Sequence, residues 1–129
     1  MAGQVKERPF VIVDPQKIEW QTHKPSLNPQ EVNYAGGKVP AWEGPPKVRY
    51  KELFTASPGK PRVVVAEWEP NHREPTHSHP VSEWMYVLAG SATLNGQPLE
   101  TGGMFFIQKD TMYSLAAGPQ GLRFLRFTL

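Results

Sequence analysis

The chain contains no cysteine. Disulfide staples and thiolate metal centres are therefore excluded, and nothing in the sequence argues for an oxidising compartment. No apolar run is long enough to cross a bilayer, so no membrane partner is expected. The first ten residues carry no apolar stretch of the signal-peptide kind, and the expected location is the cytoplasm. An excess of one charge is also lacking. Fourteen Lys and Arg stand against twelve Asp and Glu, and the basic residues are scattered. A nucleic-acid partner has no electrostatic footprint here. Arg123 and Arg126 form no basic run; they sit in an apolar C-terminal stretch. No segment has a helical period, the stretch 4–8 being too short to count, and no internal repeat is visible.

Turn-forming residues are plentiful instead. The 129 residues include 14 prolines and 11 glycines, which fall between short apolar segments, as in an all-β domain with many turns. That length suits one compact domain with a core of its own. Residues 1–46 read as an irregular N-terminal arm. In it, Phe10-Val11-Ile12-Val13 is a short strand candidate stopped by Asp14-Pro15, and 22–30 is a loop with two prolines. Trp20, Tyr34 and Trp42 are the expected anchors of the arm, since large aromatics bury the most area per residue. Gly36-Gly37 and Gly44-Pro45-Pro46 mark turns.

From residue 47 to 129 the texture is that of a barrel or sandwich. Strands are expected at 48–55, 62–69, 83–89, 92–94, 103–107, 111–116 and 121–129. Asn95-Gly96 is a strong two-residue hairpin signal, because both central positions of a type I′ turn need positive φ.

The informative segment is Thr76-His77-Ser78-His79-Pro80-Val81-Ser82-Glu83. Alternate side chains of a strand share a face, so His77 and His79 point the same way. Glu83 opens the next strand, which pairs back beside the first. Two neutral nitrogens and one carboxylate make a facial triad that leaves coordination positions open. Two histidines spaced in this way also occur on ordinary surface loops. The longer pattern, ending at Gly90 six residues beyond Glu83, is what singles this segment out.

This stretch resembles the first conserved motif of the cupin superfamily: Gly, five residues, His-x-His, three or four residues, Glu, six residues, Gly. Asn71 stands at the first glycine, and asparagine also tolerates left-handed geometry. The second cupin motif falls on Gly102, Gln108, Asp110, Tyr113 and Ala117, where only the glycine matches. The resemblance covers roughly the last two thirds of the chain. It implies an all-β, single-domain cupin (jelly-roll) β-barrel over 47–129, with the arm packed on the barrel or exchanged with a partner. It also implies a divalent metal on His77, His79 and Glu83: iron(II) is the natural ion for oxygen chemistry, while zinc, manganese and nickel suit the same ligands. Metal-binding relatives take a fourth ligand, histidine, from the position of Tyr113. Three roles are open for Tyr113: phenolate ligand, acid/base or hydrogen-bond donor to substrate, or a marker of a lapsed site.

Further expectations follow from alternation. Met85 shares the face of Glu83, and Met104 and Phe106 share a face of a later strand. These three, with His72 at the barrel mouth, are candidates for a substrate pocket, against the plainer alternatives of core packing or, for His72, a solvated loop. Arg73 and Glu74 read as an exposed pair of little energetic weight, and His23 as a surface residue. The expected function is a metal-dependent enzyme on a small molecule, either dioxygenase-like or a Lewis-acid isomerase, cyclase or lyase. The alternatives are a non-catalytic binding module and an interaction protein whose site has decayed. Outward aromatics such as Trp84 and Tyr86 need cover, which points to a homodimer.

Overall fold

The computed structural model describes residues 9–22, 32–37 and 47–129; His23, Trp42 and the turn expected at 44–46 lie outside the described residues. Among the described residues, nine strands appear in chain order: β1 (Gln21–Thr22), β2 (Asn33–Tyr34), β3 (Val48–Phe54), β4 (Arg62–Trp68), β5 (His77–Ser78), β6 (Glu83–Leu94), β7 (Gln97–Glu100), β8 (Met104–Ile107) and β9 (Leu115–Thr128). Among the described residues there is no α-helix, only short 3-10 turns such as Pro15–Lys17. The main sheet runs β1-β3-β4-β9-β6-β7, with β8 also on β6, and β2 pairs with β5 in a second, smaller sheet. All pairings are antiparallel. This is the all-β architecture expected from the turn spacing.

The core lies inside the curve of the main sheet. Val48, Ala66, Trp68, Met85, Val87, Leu122 and Phe124 of β3, β4, β6 and β9 belong to it, as does Leu115 at the start of β9. Each fully buried aliphatic side chain of this kind contributes about 1.5–3 kcal/mol. On the outer surface, Glu67 of β4 accepts from Arg49 of β3 (2.7 Å) and from Arg123 of β9 (Nε, 2.9 Å), tying three adjacent strands. Burial alone would raise the Glu67 carboxyl. The two guanidinium groups outweigh it and hold the group below the usual carboxylate range.

Several local expectations need revision. Residues 10–13 form no strand, and Phe10, Val11 and Ile12 are exposed. The described part of the arm is held by buried Val32 and Tyr34, by the pairing of β1 with β3 and β2 with β5, and by Lys51, which donates to the Pro15 carbonyl and lies with Arg49 over the Trp20 ring. The segments 83–89 and 92–94 are one strand, β6, rather than two. Gly90 therefore does not turn the chain. It sits within β6 at φ +76, and a Cβ there would lie 2.0 Å from the Gly121 carbonyl oxygen, so close backbone approach is what demands glycine. Residues 111–114 are not in a strand, and one long β9 replaces the two segments expected at the C-terminus. Asn95 and Gly96 have the positive φ of a hairpin turn, and Asn71, at the motif's glycine position, has φ 62.

Candidate metal and substrate site

The site is assembled where the two sheets meet. The segment 72–79 runs antiparallel to 110–117. His77 and Tyr113 exchange both backbone hydrogen bonds (3.0 and 2.8 Å), and Ala117 N–H donates to the His72 carbonyl while Asp110 N–H donates to that of His79. Directly opposed residues place their side chains on the same face. The His77 and Tyr113 rings are accordingly 4.6 Å apart between centroids, and His79 stands edge-on to His77 at 4.9 Å.

Glu83 enters from the main sheet. It opens β6 opposite Ile107 of β8 and Thr128 of β9. Its side chain is fully buried. Arg126 lies on β9 opposite Met85, two residues from the partner of Glu83 and on the same inward face. Its Nε donates to Glu83 Oε2 at 2.5 Å, and the Tyr113 hydroxyl lies near this carboxylate. Burial would push the Glu83 carboxyl up; Arg126 above all, then His79 and Tyr113, hold it below its ordinary value. Tyr113 moves the other way. Burial and then the Glu83 charge raise its hydroxyl well above the ordinary tyrosine value, so in these surroundings it is a neutral donor.

His77, His79, Tyr113 and Arg126 line a partly open cavity of about 120 Å³. One water needs roughly 10–15 Å³ measured in this way, so the space admits a small organic molecule. Trp68, Phe124, Leu115 and Met85 form its apolar floor, and Tyr34, Tyr50, Arg62, Glu74 and Arg126 supply further polar wall. Glu74 is buried and lies within 3.4 Å of His72, itself buried and edge-on to Trp68. Burial, then the Glu74 charge, raises the Tyr34 hydroxyl above its ordinary value.

The sequence-based candidates thus separate. His77, His79, Tyr113 and Met85 line the cavity, and Glu83 is joined to it through Arg126 and Tyr113. Met104 and Phe106 do not line it: they are 59% and 51% exposed. The register explains the error. Glu83 and Met85 oppose Ile107 and Phe105, so those two turn inward and Met104 and Phe106 turn out, where Phe106 stacks on Trp84. His72 is buried against Glu74 and Trp68 and is not in the cavity wall. Glu74 is not an exposed partner of Arg73; its backbone N–H is bonded to the Leu115 carbonyl, which sets its side chain inward. Arg126 was missed as a site residue. Its signal was a charge within an otherwise apolar alternation, Leu122, Phe124, Arg126.

Whether this set suits a cation can be judged from its donor atoms. His77 Nδ1 is 2.6 Å from the Pro75 carbonyl oxygen. A carbonyl only accepts, so Nδ1 carries the proton and the Nε2 lone pair is left as a ligand. Glu83 Oε1 is buried and has no hydrogen-bond partner in the structure, an arrangement costly for a charged oxygen unless something positive meets it. Among the described residues, no three His, Asp or Glu side chains already converge on one coordination point. Glu83 is drawn to Arg126. The donor types fit a two-histidine, one-carboxylate site.

A dimethylsulfoniopropionate lyase, DddW of Ruegeria pomeroyi, is 33% identical over 110 residues, covering 79% of this chain and 70% of the lyase. The polyketide cyclase RemF of Streptomyces resistomycificus superposes with a TM-score of 0.66 at 19% identity, over 92% of this chain and 78% of RemF. A cupin-like protein of Thermotoga maritima superposes with a TM-score of 0.56 at 25% identity, over 63% of this chain and 67% of that one. No family model matches the chain.

Proposed function

The chain belongs to the cupin superfamily, and from that membership we propose that it is a metal-dependent enzyme acting on a small molecule inside the barrel, by lyase-type rather than oxidative chemistry. The observation that carries the metal reading is the buried, unpartnered Glu83 Oε1, with His79 near enough to act on its charge and His77 edge-on to His79. The preference for non-oxidative chemistry rests on a lyase relative and a cyclase of the same fold. His77, His79 and Glu83 would hold the ion. A divalent cation there supplies Lewis acidity toward a substrate oxygen.

The chain's own residues do the remainder. Tyr113, held protonated, donates a hydrogen bond or a proton to a substrate atom at the cavity wall. Glu74, set inward against His72, puts a carboxylate on the wall and is placed to accept a proton from bound substrate. The floor of Trp68, Phe124 and Leu115 excludes water, and Arg62 and Arg126 give the wall a positive character suited to an organic acid. The outward apolar face of Trp84, Met104 and Phe106 fits the expected homodimer.

Dimethylsulfoniopropionate is the natural first substrate to try. β-Elimination removes a proton from the carbon next to its carboxylate, breaks the carbon–sulfur bond and releases dimethyl sulfide and acrylate. The test measures headspace dimethyl sulfide from protein loaded separately with iron(II), manganese, nickel and zinc, with Glu74→Gln and Tyr113→Phe as controls. Turnover lost in both variants supports the reading. Oxygen consumption tied to substrate would overturn the lyase assignment in favour of dioxygenase-like chemistry.

A further inference from the structure

Arg126 occupies a position where an apolar residue would do for packing. Its neighbours along the inward face of β9 are Phe124 and Leu122, and across the sheet it faces Met85 and Val64. A guanidinium with an 18% exposed side chain, set against a carboxylate with 1% exposure, is an ion pair largely removed from water. Such pairs are seldom retained for stability, because well-packed apolar groups do as well. The pair is also divided: Arg126 takes Oε2 of Glu83 and leaves Oε1 without a partner.

From this division we propose that Arg126 is a resident counter-charge for Glu83 that competes with a divalent cation and so sets the affinity of the site. The inference rests on His77, His79 and Glu83 being the cation ligands. Without a cation, Arg126 keeps the buried carboxylate from standing as an isolated charge, and the chain folds. With a cation, the same carboxylate has to serve two positive partners, and a fixed unit charge close to a doubly charged ion disfavours binding. Arg126 thus weakens the site it belongs to. That tuning makes metal occupancy depend on the free cation concentration rather than leaving the ion permanently trapped.

The experiment is calorimetric titration of metal-free protein with manganese and with zinc, for wild type, Arg126→Met, Arg126→Gln and Arg126→Lys. The expected result is a Kd about tenfold or more lower in the methionine and glutamine variants, with lysine close to wild type. A second readout is thermal stability. The metal-free methionine variant should melt below wild type, since Glu83 loses its partner, and should gain more from added cation than wild type does. The glutamine variant keeps a hydrogen-bond donor without the charge and serves if methionine prevents folding. Equal or weaker binding in folded, neutral variants overturns the inference while leaving the metal site intact. No binding by any folded variant, wild type included, overturns the metal reading and the inference together.

Discussion

Removal of Glu83 tests how the site is embedded in the fold. Its carboxylate has almost no exposure, and its ion-pair partner Arg126 is largely buried. In Glu83→Ala the guanidinium loses its partner in a low-dielectric interior, and a small cavity opens beside Met85. Breaking a buried pair from one side costs about 3–5 kcal/mol. For a domain of this size that corresponds to a melting temperature lower by roughly 10–20 °C. The double variant Glu83→Leu/Arg126→Met removes both charges and fills the space. It should recover to within about 1 kcal/mol of wild type, because the desolvation of two ions disappears with their attraction. Urea denaturation of metal-free protein, read by tryptophan fluorescence, gives the three stabilities. A loss under about 1 kcal/mol in Glu83→Ala, or a double variant no better than the single one, would refute the argument that the pair is buried and mutually dependent.

Other consequences are simpler to state. Gly90→Ala should destabilise by about 2 kcal/mol or more in chemical denaturation, because a Cβ would sit 2.0 Å from the Gly121 carbonyl oxygen at a φ of +76. Glu67→Gln should cost about 0.5–1 kcal/mol at neutral pH and low salt, and less in concentrated salt, because its arginine partners are half-exposed. Glu67 has a lowered carboxyl pKa in the folded protein. Its contribution is therefore complete above the unfolded value of about 4.3 and is lost as pH falls through the lower folded value. The variant and wild type should converge in stability at that acid end of a pH series. Light scattering should give the mass of two chains, and Phe106→Glu should shift it to one, since Phe106 is 51% exposed and stacked on Trp84 in the outward apolar face.

Much of this was legible in the residues. Strand periodicity and the Asn95-Gly96 signal are local properties, and β3, β4, β6 and the hairpin lie where they imply. The spacing of His77, His79 and Glu83 brought two imidazoles together and put the carboxylate beside Arg126 and Tyr113. What failed depended on pairing. Which face of β8 turns inward is set by its register on β6, and a shift of one residue exchanges Met104 and Phe106 for Phe105 and Ile107. Phe10 to Val13 has strand composition, yet no neighbouring strand edge receives it among the described residues. Glu74 looked like a surface charge because its burial follows from a long-range backbone partner, Leu115. Arg126 showed only as a charge within an apolar alternation, and its partner Glu83 lies far away in sequence.

The central claim is that His77, His79 and Glu83 form a divalent-metal site. Elemental analysis of protein purified without an affinity tag, compared with His77→Ala/His79→Ala prepared alongside, addresses it most directly. The account predicts a divalent ion in the wild type, at a level that rises toward one per chain on reloading, and background levels in the folded double variant. Equal metal content in the two proteins, or wild-type protein that takes up none on reloading, would contradict it.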